Sequence, residues 1–403
     1  MRSGTRSVAG GVLAAVVLIG CTATGAPSGA PPQTTPTARP DAASTSASPA
    51  DASPPAAPTP AADPCLTLAR SLPLSSQAGQ LVMVGVSGGL DATERRAITD
   101  LRLGSVILMG GTTGGVKGVD RLTSQLEGLG GETGMLVATD QEGGLVQRLK
   151  GPGFSTIPSA ARQAKLSDQT LRRDAARWGA QLARAGVRLN LAPVADVVPA
   201  GNRSANRPIA SLDRGYGSDP VKVGALVAAF RAGMRDAGVE TAVKHFPGLG
   251  AVSGNTDFSA VVVDRTTTAS SRLLIPFRNA VVDGGAVVMV SSAVYRRIDP
   301  DRMAAFSPEV IGILRSWDPD VVVLSDDLGV AAALRSVPVK QRAVRFVGAG
   351  GDLAITVAPA AASAMVSGLV QRAKVEPEFA QRVAESAGRV LTLKAAAGAI
   401  TCT

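Results

Sequence analysis

The sequence predicts an α/β protein built as a single (β/α)8 barrel of TIM type, filling roughly residues 70–400. Three observations predict it. Eight apolar runs, bounded by Gly, Pro or polar residues, have the length of buried strands. Helix-like amphipathic stretches lie between or after them, the alternation that builds a parallel sheet. Polar residues unusual for a buried run gather at the C-terminal ends of the runs, where a barrel of this kind carries its chemistry. A doubly wound open sheet fits the alternation equally well. No internal repeat is evident, and no second domain follows the eighth run.

The chain starts with a segment of another kind. Arg2 and Arg6 precede the apolar run Val8 to Ile19, which is too short to span a bilayer permanently. Residues 1–21 therefore read as a signal sequence. Leu18-Ile19-Gly20-Cys21 resembles a bacterial lipobox, so cleavage before Cys21 would leave a thiol for acylation, and a lipid-anchored, extracytoplasmic location is expected. Residues 22–64 are almost entirely Ala, Pro, Ser and Thr. They cannot bury enough apolar surface to offset their ordering entropy and read as a tether, partly extended by its prolines. The folded domain is expected over residues 65–403.

Within it the expected strands are Gln80–Val86, Gly104–Gly110, Gly134–Asp140, Val187–Val197, Thr241–Pro247, Ala286–Tyr295, Val321–Leu328 and Asp352–Val357. Expected helices include Asp174–Ala185, Pro220–Ala237, Ser270–Asp283 and Pro377–Ala397. Besides Cys21 the chain has Cys65 and Cys402, at the two ends of this region. Outside the membrane a disulfide between them is permitted, and it would close a very long loop.

Aromatic residues are only 3% of the chain and no dense basic run exists, so nucleic acid is not an expected partner. The net charge of +9 instead suits anionic wall polymer or lipid head groups. A single histidine and the absence of a His/Cys cluster argue against a metal site, and no cofactor is expected. A serine-hydrolase elbow is not expected. The glycine-rich run 110–115 lacks the Walker lysine spacing and reads as a loop. A monomer is expected.

The rim residues are then the candidates. Run three ends in Asp140-Gln141-Glu142-Gly143-Gly144, run five in Lys244-His245, and run seven in Ser325-Asp326-Asp327-Leu328. Each alone could be a cap or turn residue. Together they suit glycoside hydrolysis, in which one carboxylate attacks or steadies the anomeric centre and another group protonates the leaving oxygen. Arg148, Arg214, Lys244 and His245 can donate to sugar hydroxyls, and Asp140 can accept from two of them.

These motifs, in this order, resemble glycoside hydrolase family 3 β-N-acetylhexosaminidases, including bacterial enzymes that act on cell-wall muropeptides. The resemblance rests on Asp140-Gln141-Glu142-Gly143-Gly144 with Gln147-Arg148-Leu149, on Leu189 to Val197, on Arg214 to Pro220, on Lys244-His245-Phe246-Pro247-Gly248 and on Ser325 to Leu328. It implies a retaining mechanism with Asp326 as nucleophile. Substrate contacts would come from Asp140, Arg148, Arg214, Lys244 and His245, and the substrate would be a small sugar or muropeptide. The chain departs from the family at the fifth loop. Leu249 stands where a histidine is usual, and Val330 replaces a common methionine. Counted without gaps, Asp257 occupies the place of the acid/base histidine and Asn255 that of its orienting aspartate. Three readings follow: Asp257 is the acid/base; another carboxylate such as Glu142 serves; or protonation is lost and the protein is a weak hydrolase or a sugar binder. A β-glucosidase of the same family is a further alternative. Gly248, Gly250 and Gly254 suggest a loop free to move.

Overall fold

The computed structural model describes residues 63–402. The expected signal, Cys21 and all but the last two residues of the expected tether lie outside the described residues. Eight parallel strands form a closed barrel: β1 Val82–Val86, β2 Ser105–Leu108, β3 Leu136–Thr139, β4 Leu189–Asn190, β5 Glu240–Phe246, β6 Val287–Val290, β7 Val322–Asp327 and β8 Leu353–Thr356. Each pairs with its neighbours in sequence. The ring closes where Val82, Met83 and Val84 lie opposite Ala354, Ile355 and Thr356. The open-sheet alternative is thereby excluded. Most strand residues are fully buried, as parallel strands covered on both faces require.

Seven of the eight expected runs contain a strand of four or more residues. The exception is β4. The long apolar run 187–197 leaves the ladder after two residues, because Pro193 has no N–H to donate, and rejoins only at a bridge between Val194 and Lys244. The run 286–295 also divides. Its first part is β6, and Val294–Tyr295 joins a separate three-stranded sheet with Val263–Asp264 and Asp299–Met303. Among the helices, Asp168–Arg184 begins six residues before the expected start, with the Ser167 side chain capping the Thr170 amide.

The foot of the barrel is fastened by buried polar groups. Asp352, fully buried, pairs with Arg315 (2.6 Å) and Arg389 (2.8 Å) and accepts from the Val323 amide. Lys394 Nζ reaches Gln80 Oε1 (2.5 Å), Thr133 O (2.9 Å) and Gly134 O (3.1 Å), three acceptors for its three N–H bonds. The helix Pro64–Ser71, capped by Asp63, packs on the last helix, Pro377–Ala396. Gly388 permits this approach, since a Cβ there would lie 3.0 Å from Leu66. Cys65 and Cys402 are joined by a disulfide, with Cα atoms 5.0 Å apart. Among the described residues no helix is long and apolar enough to cross a membrane.

Candidate active site

The C-terminal ends of the strands open into a cavity of about 420 Å³. It is lined by all seven residues singled out for catalysis or substrate binding: Asp140, Arg148, Arg214, Lys244, His245, Asp257 and Asp326. Asp140 directly follows β3, and β5 and β7 supply Lys244 with His245, and Asp326; the loops after β3, β4 and β5 supply Arg148, Arg214 and Asp257.

The floor is an ion-pair network. Lys244 Nζ lies 2.6 Å from Asp140 Oδ1 and 2.7 Å from Glu142 Oε1. Arg214 grips Glu142 with both arms of its fork, Nε to Oε2 at 2.9 Å and Nη2 to Oε1 at 2.7 Å. Burial alone would raise the Glu142 carboxyl, but the charges and hydrogen bonds of Arg214 and Lys244 hold it well below the usual carboxylate range. Burial likewise works against the two cations, and their carboxylate partners overcome it. Glu142 therefore binds cations and does not fit the role of a proton donor. Arg214 also donates to Pro208 O (3.0 Å), which leaves it few free N–H bonds for a sugar. Arg148 is exposed at the cavity and has no side-chain hydrogen bond or ion pair among the described residues.

His245 is oriented from behind. Its Nδ1 lies 2.7 Å from Asp196 Oδ2, so the carboxylate takes the Nδ1–H and turns Nε2 toward Arg214 Nη2 at 3.4 Å. Asp196 is fully buried, and its other oxygen accepts from the His245 and Leu249 amides. Sequence reasoning placed Asp196 in the fourth run but gave it no role. A carboxylate ending an apolar run, with the lone histidine ending the next run, was the available signal.

Asp326 and Asp327 divide their work. Asp327 accepts from the amides of Gly329, Val330, Ala331 and Val357 and shapes the loop after β7. Asp326 accepts only the Asp327 amide and faces the cavity with its remaining acceptor capacity free among the described residues.

Asp257 stands on the loop after β5. Desolvation pushes its carboxyl up, the negative charge of Asp326 adds to this, and His245 and Arg214 oppose it. The residue is exposed at the cavity, so this desolvation is partial. Asn255 uses its side chain on the Asp257 backbone amide (2.9 Å), as in a turn, and not on the carboxyl.

This loop is fastened along its length, contrary to the freedom its glycines suggest. Asn206 Nδ2 donates to the carbonyls of Leu249, Gly250 and Val252, and Tyr295 donates to Gly248 O. Gly250 is required by close passage, because a Cβ there would lie 1.8 Å from Val197 O. Backbone bonds from Ala332 N to Asp257 O and from Ala333 N to Thr256 O, both 3.2 Å, tie it to the loop after β7. Asn206 and Asp327 carry no chemistry of their own, and only their contacts expose their part in the site. Among the described residues no group of His, Cys, Asp and Glu could hold a metal ion.

Comparison with known proteins shows the family and the fold. Residues 74–393 match the model of the glycosyl hydrolase family 3 N-terminal domain. The chain is 31% identical over 323 residues to beta-hexosaminidase LpqI of Mycobacterium tuberculosis, covering 78% of this chain and 81% of that protein. It is 43% identical to a crystal structure of a beta-N-acetylhexosaminidase from Beutenbergia cavernae, with a TM-score of 0.79 over 81% of this chain and 99% of that one. The crystal structure of M. tuberculosis LpqI is 30% identical, with a TM-score of 0.72 over 83% and 96% of the two chains.

Proposed function

The chain belongs to glycosyl hydrolase family 3, and from that premise we propose that it is a retaining β-N-acetylhexosaminidase releasing terminal β-linked N-acetylglucosamine from peptidoglycan fragments. The observation that carries the reading is a pair of carboxyl groups in one cavity with opposed environments. Asp326 is free of cationic partners and aimed at the cavity, and Asp257 is held above its ordinary value. The names of the relatives support the sugar class, an N-acetylhexosamine.

In the first step Asp326 attacks the anomeric carbon while Asp257 gives its proton to the glycosidic oxygen, and the leaving group departs with that proton. In the second, the Asp257 carboxylate takes a proton from water, whose oxygen attacks the anomeric carbon and releases Asp326. Asp140, Arg148, Lys244 and His245 hold the glycone hydroxyls. Arg214 acts mainly through Glu142, keeping Lys244 and Asp140 in place.

His245 is the competing proton donor, because its pairing with Asp196 resembles a carboxylate–imidazole relay. Both ring nitrogens are engaged, Nδ1 by Asp196 and Nε2 by Arg214 Nη2 at 3.4 Å, whereas the Asp257 carboxyl has no hydrogen-bond partner among the described residues, which supports Asp257 instead. Lipid attachment at Cys21, with the Ala/Pro-rich segment as spacer, would keep the enzyme outside the membrane and near wall fragments.

The test is turnover of an aryl β-N-acetylglucosaminide and the matching β-glucoside by the purified protein and by Asp326→Asn. We expect turnover of the first, little of the second, and a loss of about 10⁴-fold or more in the variant. Binding of N-acetylglucosamine without turnover of either substrate would leave a sugar-binding protein. In the same cells Cys21→Ala should move the protein from the membrane to the soluble fraction; continued membrane association would exclude the anchor.

A further inference from the structure

The loop that carries Asp257 and the loop that follows Asp326 also present apolar side chains at the cavity mouth. Phe258, next to Asp257, is 84% exposed; Val330, four residues after Asp326, is 60% exposed; both line the cavity. The backbone bonds from Ala332 and Ala333 hold the two loops together. Asp140, Arg148, Lys244 and His245, which surround the proposed glycone position, supply the polar part of the lining.

Single exposed apolar residues are common and by themselves carry no meaning. Here the chemistry of the neighbour identifies what Phe258 would meet. A proton donor must reach the glycosidic oxygen, so the first ring of the leaving group has to lie beside Asp257. A pyranose offers a face of C–H bonds, and an aromatic side chain offers that face a large apolar area at the cost of only two rotatable bonds.

We propose that Phe258, supported by Val330, is the binding platform for the leaving-group sugar and makes the enzyme selective for substrates that carry a ring there. The inference rests on the reading of Asp257 and Asp326 given above. Contact with a part of the substrate remote from the anomeric carbon would be used to orient the glycosidic oxygen toward Asp257.

Two substrates with the same glycone test it: a β-1,4-linked N-acetylglucosamine disaccharide, and β-N-acetylglucosaminyl fluoride, whose leaving group is one atom. With the full-length protein, Phe258→Ala should lower kcat/KM on the disaccharide about tenfold, keep it within about twofold on the fluoride, and Phe258→Trp should restore it. Retained activity on the fluoride also reports that the variant is folded. An equal loss on both substrates would overturn the proposal, because the effect would then lie on the glycone or the fold; a loss on the disaccharide accompanied by a shifted alkaline limb of its pH profile would overturn it too, because Phe258 would then be acting on the position of Asp257. No loss on either would overturn it too. Wild-type protein inactive on both would instead remove the glycosidase reading on which it rests.

Discussion

Glu142 and Asp257 are both acidic residues at one rim, and their neighbours give them opposite tasks. Two cations hold Glu142 ionised, whereas desolvation and the charge of Asp326 favour the protonated form of Asp257. Glu142→Gln would leave Lys244 and Arg214 short of a buried counter-charge, and we expect a loss of about 3–5 kcal/mol at neutral pH by urea unfolding. The sign with pH follows from the lowered value. The contribution of Glu142 is complete above the ordinary carboxylate range and is lost as pH falls through it toward the folded-state value. The gap between wild type and variant should therefore narrow from pH 7 to about pH 3. A gap independent of pH would contradict the pairing. The residues that end apolar runs in charge were legible in the sequence, because a strand that must be buried does not carry Asp, Lys and His without a reason. The roles of Asp196 and Phe258 were not. The first shows its partner only when the fold brings His245 beside it, and the second gains meaning only from its place at the cavity mouth.

At the scale of elements, the loop after β7 acts as a bracket for the loop after β5. Arg342, buried, donates to the carbonyls of Leu328 (2.7 Å), Gly329 (2.6 Å) and Val337 (2.9 Å), and Asp327 gathers four amides of the same loop and of the β8 end. The backbone bonds of Ala332 and Ala333 carry this order to Thr256 and Asp257. Arg342→Ala leaves buried carbonyls without donors, and we expect it to lower stability by about 3 kcal/mol. It should also lower kcat more than it raises KM and shift the alkaline limb of the pH–rate profile, since it displaces Asp257. A stability loss with unchanged kcat and pH profile would separate the bracket from catalysis. Strand positions were legible because buried parallel strands read as apolar runs. Strand ends were less so: Pro193 removes most of the long fourth run from the ladder, a break that apolarity does not register. Nor does local sequence reveal which loops touch across the rim.

The described residues form a ring fastened at its foot. The disulfide joins residues 337 positions apart and holds the helix Pro64–Ser71 against Pro377–Ala396. Reducing the disulfide, or replacing both Cys65 and Cys402 by Ser, should lower stability by up to about 5 kcal/mol with little change in kcat, because the site lies at the opposite end of the barrel. A lost activity at full stability would contradict this separation. The pairing could be read from the positions of two cysteines at the ends of the folded region. The foot network of Lys394 with Gln80 and Thr133 could not, since its members are separated by up to 314 residues and share no local pattern.

The central claim is that Asp257 takes the proton-transfer role. The pH dependence of kcat/KM tests it most directly, for wild type and Asp257→Asn, on β-N-acetylglucosaminides with a poor and a good leaving group. An acid must be protonated to act, so wild-type activity should fall as pH rises through the raised Asp257 value. In the variant that limb should vanish, with a loss of about 10²–10⁴-fold on the poor leaving group and much less on the good one. An unchanged limb and equal rates on both substrates would assign the proton to another group, with His245 the first to test.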